Sequence, residues 1–150
     1  MMNIIDNFRG DYFFLSNFAN VPVTYKGITY KNNEAAFQAQ KATSLSEQQR
    51  FASLSPNLAK REGRRVKLRS DWELIKKQVM YEIVKAKFEQ NPGSRKRLLN
   101  TGDVILIEGN TWHDNTWGVC KCDKCINKFH NDSNNLGKIL MKVREELKDN

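Results

Sequence analysis

The stretch SDWELIKKQVMYEIVKAKFEQNP, residues 70–92, constrains the fold more than any other. Ile75, Val79, Ile83, Val84 and Phe88 recur at helical spacing and make one apolar stripe. Ser70 and Glu73 stand in capping-box spacing at its start, and Asn91-Pro92 supplies the stop. A second helix, NLGKILMKVREELK, carries Leu136, Ile139, Leu140, Val143 and Leu147 on its core face. Between the two, DVILIEGN reads as a short strand or extended segment. SPNLAKREG reads as a further helix, capped by Ser55, with Pro56 in its first turn and Gly63 near its end. VPVTYKGITY alternates around Lys26-Gly27 and predicts a short hairpin. The expected class is mainly α, an α+β chain with a short β-hairpin. With no repeat, linker or low-complexity segment, one compact domain over residues 1–150 is the expected organisation.

A chain of 150 residues can bury about two-thirds of its unfolded surface without staples. No apolar run approaches the roughly 18 residues of a membrane span. The start, MMNIIDNFRGDY, has no signal-peptide pattern. These features predict a cytoplasmic protein with no membrane partner. The net charge of +8 favours polyanionic company, such as nucleic acid, nucleotides or phosphorylated metabolites. Surface solubility is the other reading of that excess. It is densest at KREGRRVKLR, residues 60–69, where Glu62 is the one acid and Gly63 permits close backbone approach.

The segment NNEAAFQAQKA, residues 32–42, reads as a helix capped by Asn32 or Asn33. At about 100° per residue, Glu34, Gln38 and Lys41 share one narrow stripe, with Ala35, Ala36, Ala39 and Ala42 away from it. That pattern suits either an exposed polar row or the wall of a polar pocket.

Three cysteines cluster as CKCDKC, Cys120, Cys122 and Cys125. An odd number argues against a disulfide framework. With His130 or His113 as fourth ligand the set would be Cys3His, which suits structural zinc; a reduced thiol cluster is the alternative. No cofactor is otherwise required. Two loops are not explained by folding needs. DYFFLSNFAN packs aromatics around Ser16 and Asn17, and EGNTWHDNTWGVC holds Trp112, Trp117, Glu108, Asp114 and His113 without a hydrophobic period. Such loops often carry function on a rigid scaffold. On local grounds Asp114 fits an Asx-turn equally well.

The motifs FLSNF, NNEAAFQAQKA, AKREGRR, LRSDWELIKKQVMYEIVKAKF, HDNTWG and NNLGKILMKVREEL stand in the order seen in the NADAR family. That family of proteins associated with NAD and ADP-ribose includes the YbiA-like N-glycosidases. The chain resembles it over residues 10–148. The resemblance implies a compact, mostly helical fold and cleavage of an N-glycosidic bond on a ribose. One branch of the family hydrolyses phosphoribosylated aminopyrimidine intermediates of riboflavin synthesis, and another removes ADP-ribose from guanine bases. Glu34 and Lys41 match the family's acidic and basic helix positions, with Gln38 between them. Asp114, Trp117 and Gly118 match its Asp-x-x-Trp-Gly motif. Arg69 and Trp72 match the start of the long helix, Asn17 and Phe18 the Ser-Asn-Phe loop, Gly63 and Arg64 a Gly-Arg pair, and Asn134 and Gly137 an Asn-x-Leu-Gly turn. Ala35 stands where many relatives carry His, and the cysteine cluster replaces a Gly-rich loop.

Cleaving a ribosyl C–N bond requires stabilising positive charge at C1′ and a proton for the departing nitrogen. Glu34 and Asp114 are the candidate pair. Lys41 could attack C1′ and form an imine, or it could hold a phosphate or pair with Glu34. Trp72 and Trp117 could stack on the base, and Arg64 and Arg69 could hold phosphates. Three functions therefore compete: removal of ADP-ribose from guanine in nucleic acid or nucleotide, hydrolysis of a phosphoribosylated pyrimidine, and non-catalytic binding of ADP-ribose or nucleic acid.

Overall fold

The computed structural model describes residues 3–148, so the first and last two positions of the expected single domain lie outside it. In chain order the elements are β1 (Ile4–Ile5), a 3-10 helix (Gly10–Leu15), β2 (Val23–Tyr25), β3 (Ile28–Tyr30), α1 (Asn33–Ala39), α2 (Leu45–Arg50) and α3 (Pro56–Gly63). They continue with α4 (Trp72–Gln90), α5 (Pro92–Asn100), β4 (Ile105–Leu106), β5 (Gly109–Asn110), β6 (Val119–Cys120) and α6 (Asn135–Leu147). Helices dominate and the strands are short, as expected. Packing groups the chain into two compact units, Asn17–Arg95 and the residues flanking it on either side.

In the unit Asn17–Arg95, β2 and β3 pair antiparallel with Val23 opposite Tyr30. Both turn residues take positive φ, Lys26 at 51° and Gly27 at 84°, which matches the right-handed twist of the strands. The end of α4 docks on this hairpin: the Thr24 amide donates to Gln90 Oε1 at 2.8 Å, and Asn91 Nδ2 donates to the Pro22 carbonyl at 3.0 Å. Val79, Ile83, Val84 and Phe88 are buried as the stripe predicts, while Ile75 is half-buried. Lys87 breaks the pattern, being 1% exposed. The Ser70–Glu73 capping box does not form. Asp71 precedes the first helical residue without a side-chain cap, and Glu73 instead pairs with Lys76 at 2.5 Å. α1 packs against α3 and α4, and its Ala35, Ala36 and Ala39 are fully buried. α2, which has no buried residue and so no apolar stripe, is an element the sequence pattern did not predict.

In the flanking unit, β1 pairs parallel with β4, and β5 parallel with β6. DVILIEGN thus divides between two strand pairs, and the predicted loop DYFFLSNFAN begins inside the 3-10 helix. α6 packs on β4 and buries Leu136, Leu140, Val143 and Leu147, with Ile139 half-buried. Gly137 permits this approach, because a Cβ there would overlap the Leu106 carbonyl. Arg144 is buried and donates from one guanidinium nitrogen to Thr101 Oγ1 at 2.9 Å and the Val104 carbonyl at 2.8 Å. Asn91-Pro92 ends α4 as predicted, but Pro92 also opens α5, whose one buried residue is Leu98. No helix among the described residues is long and apolar enough to cross a membrane.

Candidate functional site

The polar stripe of α1 is an interior wall and not a solvated row. Asn32 caps the helix, its Oδ1 accepting from the Ala35 amide at 2.8 Å. The Glu34 amide donates to the Asn17 carbonyl at 3.0 Å, so the Ser-Asn-Phe loop closes the helix N-terminus. Glu34 is 9% exposed and Gln38 6%. Gln38 Nε2 donates to Glu34 Oε2 at 2.6 Å, fixing the carboxylate one helical turn away. The other side of that amide, Gln38 Oε1, is buried with no hydrogen-bond partner among the described residues. It faces Gly63, where a Cβ would overlap it, so the Gly of the Gly-Arg pair makes room for Gln38.

Lys41 departs from the expectation. α1 ends at Ala39, so the lysine stands just past the helix and not on its last turn. The main chain holds it on both sides: its amide donates to the Gln38 carbonyl at 3.2 Å, and its carbonyl accepts from the Arg69 amide at 2.9 Å. Burial pushes the Lys41 ammonium below the usual lysine range. Glu34 opposes the shift, and the charges of Arg64, Lys76 and Lys60 reinforce it. Such a lysine is neutral more often than a solvated one, and the neutral form is the nucleophile.

Other predicted contacts in this unit are structural. Trp72 is 5% exposed and packs on Phe37 with ring centroids 5.0 Å apart, so it is core and offers no face to a base. Arg69 is bound by Asp71, at 2.6 Å from Nε and 3.2 Å from one terminal nitrogen, and donates to the Gln40 carbonyl at 3.4 Å. It braces the Lys41 turn, with Nε and both terminal nitrogens already partnered by the protein. Asn17 is buried, accepting from Asn33 Nδ2 at 3.2 Å and donating to Met80 Sδ at 3.4 Å. Phe18 is half-buried and Arg64 exposed. A cleft of about 730 Å³ opens beyond Ala42, lined by Ser44, Glu47, Arg50, Arg65, Lys67 and Arg69. Arg65, Lys67 and Arg69 come from the basic run already visible in sequence, whereas Arg50 lies on α2, which carried no signal.

In the flanking unit the predicted polar residues serve the main chain. Asp114 Oδ1 accepts from the amides of Thr116 at 3.0 Å and Trp117 at 2.9 Å, the Asx-turn alternative. Asn134 sits at φ 57°, its Nδ2 donating to the Leu106 carbonyl and its Oδ1 accepting from the Glu108 amide, both at 3.0 Å. Both ends of that amide are engaged by the main chain. Gly118 is needed for close approach, since a Cβ would overlap the Glu108 carbonyl, and Trp117 is half-buried. The fourth member of the cysteine cluster is His113, not His130. The His130 ring is occupied instead at the Cys125 carbonyl, 2.9 Å from Nε2.

A model of the NADAR domain matches residues 6–148. The chain is 39% identical over 153 aligned residues to the N-glycosidase YbiA of Escherichia coli K12, covering 98% of this chain and 91% of that protein. It is 34% identical to a riboflavin biosynthesis protein of Vibrio vulnificus, over 91% of this chain and 36% of that protein. The NMR structure of Escherichia coli YbiA superposes with a TM-score of 0.81 at 36% identity, covering 99% of this chain and 88% of that one. The chain belongs to the NADAR family.

Proposed function

We propose that this protein is an N-glycosidase that hydrolyses a ribosyl C–N bond, with Glu34 and Lys41 as its chemical groups. One observation carries the reading. A buried carboxylate, held by Gln38 at 2.6 Å, lies within electrostatic reach of a lysine whose ammonium is disfavoured by burial. Membership of a family whose named relatives include N-glycosidases supports it. Glu34 carries the proton: it protonates the departing amine nitrogen of the base and then takes one from water. The C1′–O4′ bond opens as O4′ gains a proton and the attached nitrogen forms an imine to C1′, and Lys41 adds its neutral amine to that carbon. The bond to the base nitrogen breaks as that nitrogen gains a proton, which leaves an imine on Nζ. Water then adds to C1′, the C1′–Nζ bond breaks, and free sugar and lysine are restored.

The favoured substrate is ADP-ribose on a guanine, in nucleic acid or nucleotide. The basic cleft beyond Ala42 supports it, since Arg65 and Lys67 there suit a substrate with two phosphates. The second reading is a phosphoribosylated aminopyrimidine of riboflavin synthesis, favoured by the name of the Vibrio vulnificus relative. Incubating the protein with each substrate and weighing the released sugar by mass spectrometry separates them. ADP-ribose from the guanine conjugate is the expected product, and ribose 5-phosphate alone would establish the second reading. Release from neither would leave the non-catalytic binder and overturn the proposal.

A further inference from the structure

We propose that His113, Cys120, Cys122 and Cys125 form a structural zinc site that staples the segment between β6 and α6. The four ligand atoms all lie within 4.8 Å of one another. His113 Nδ1 stands 3.9 Å from Cys120 Sγ, 3.4 Å from Cys122 Sγ and 3.5 Å from Cys125 Sγ. A tetrahedral zinc with bonds of about 2.3 Å to sulfur and about 2.0–2.1 Å to nitrogen separates those ligands by about 3.6 Å. The cluster thus has the size of a coordination sphere, and its donor set, Cys3His, leaves no position open for a substrate or water.

Three further observations converge on it. His113 has φ 69°, a conformation that residues with side chains rarely adopt, and this turn brings its ring onto the sulfurs. The surrounding donors match a metal's outer shell: the His113 amide donates to Cys120 Sγ at 3.3 Å, and the Cys125 and Ile126 amides donate to the Cys122 carbonyl at 3.0 and 2.9 Å, closing the turn between two ligands. The segment also lacks hydrophobic anchorage. Ile126 is 59% exposed and Phe129 90%, and Cys125 is the one buried residue from 121 to 133. A stretch this long without secondary structure or a buried apolar side chain needs another constraint. Binding displaces the thiol protons and leaves three thiolates and a neutral imidazole on Zn²⁺.

Elemental analysis of freshly purified, reduced protein should give about one zinc per chain. His113→Ala and Cys122→Ser should lose it, while His130→Ala keeps it. Because a ligand variant can fail to fold, wild-type protein stripped of metal is also titrated with Co²⁺, which should produce sulfur-to-cobalt charge-transfer absorption and saturate at one equivalent. Zinc-free wild type with no such absorption overturns the site. Full zinc in a folded His113→Ala variant overturns the assignment of the fourth ligand. Sugar release plays no part in either readout, so the site stands or falls independently of the proposed activity.

Discussion

The α1 segment and the segment from Glu108 to Asn135 use the same residue types to opposite ends. In the second, Asn110, Asp114, Asn115, Asn134 and Asn135 all direct side-chain oxygens or amides at the main chain. In the first, Glu34 and Gln38 are buried where Asp114, Asn115 and Asn134 are only half-buried, their side chains bond to each other, and Gln38 Oε1 has no partner among the described residues. A buried polar group satisfied by backbone builds the scaffold. One held by another side chain, with capacity left over, is available to a ligand. That difference is the ground on which we propose the chemistry at α1 and not at Asp114.

The largest effect is expected at Lys41. Lys41→Arg should reduce turnover by about 10²-fold or more, because a guanidinium keeps the charge but cannot form an imine. Borohydride added with substrate should leave a reduced sugar adduct on Lys41 in peptide mass maps. An active Lys41→Arg enzyme would assign the lysine to charge alone and weaken the contrast. Activity should also rise with pH across a range below that of an ordinary lysine, since burial lowers this ammonium's pKa and the neutral amine reacts.

Lys87 extends the contrast to stability. Burial holds its pKa at about 7, against about 10.4 for lysine in the unfolded chain. Between those values the unfolded state binds the proton and the native state releases it, so stability should climb with pH, by at most about 1.4 kcal/mol per unit. Urea titrations from pH 7 to 10 should show that slope in wild type and lose it in Lys87→Met. Parallel curves would place the pH dependence elsewhere.

Smaller again is the cost expected at Asn134. Asn134→Ala strips the Leu106 carbonyl and Glu108 amide of their partners and should lower stability by about 1–3 kcal/mol in urea unfolding. Among caps, Ser55→Ala should cost about 1 kcal/mol, since its oxygen accepts from the Leu58 amide at 3.4 Å.

The features legible in sequence are those set by local physics. The stripes of α4 and α6, the Asn32 and Ser55 caps and the Lys26-Gly27 turn follow from periodicity and short-range bonding. α2 and α5 bury no residue and one residue respectively, which leaves no stripe to read. The parallel pairs β1–β4 and β5–β6 are two residues long and join distant segments. At the candidate site, the polar row of α1 was visible, but burial alone decides between row and wall. Helical spacing extends the row to Lys41, just past the true end of the helix, because no Gly or Pro marks the end at Ala39. The choice of His113 over His130 turns on a positive φ that no spacing rule contains. Trp72 reads as a ligand contact because an aromatic ring looks the same in sequence whether it faces a substrate or its own core.

Sugar release by Glu34→Gln and Asp114→Asn, assayed side by side on folded protein, tests the contrast most directly. Glu34→Gln should lose about 10²-fold or more, because an amide cannot carry the proton. Asp114→Asn should stay within several-fold of wild type, because an asparagine oxygen can still accept from the Thr116 and Trp117 amides. Near wild-type turnover in Glu34→Gln, or an equal collapse in Asp114→Asn, would contradict the assignment of the chemistry to α1.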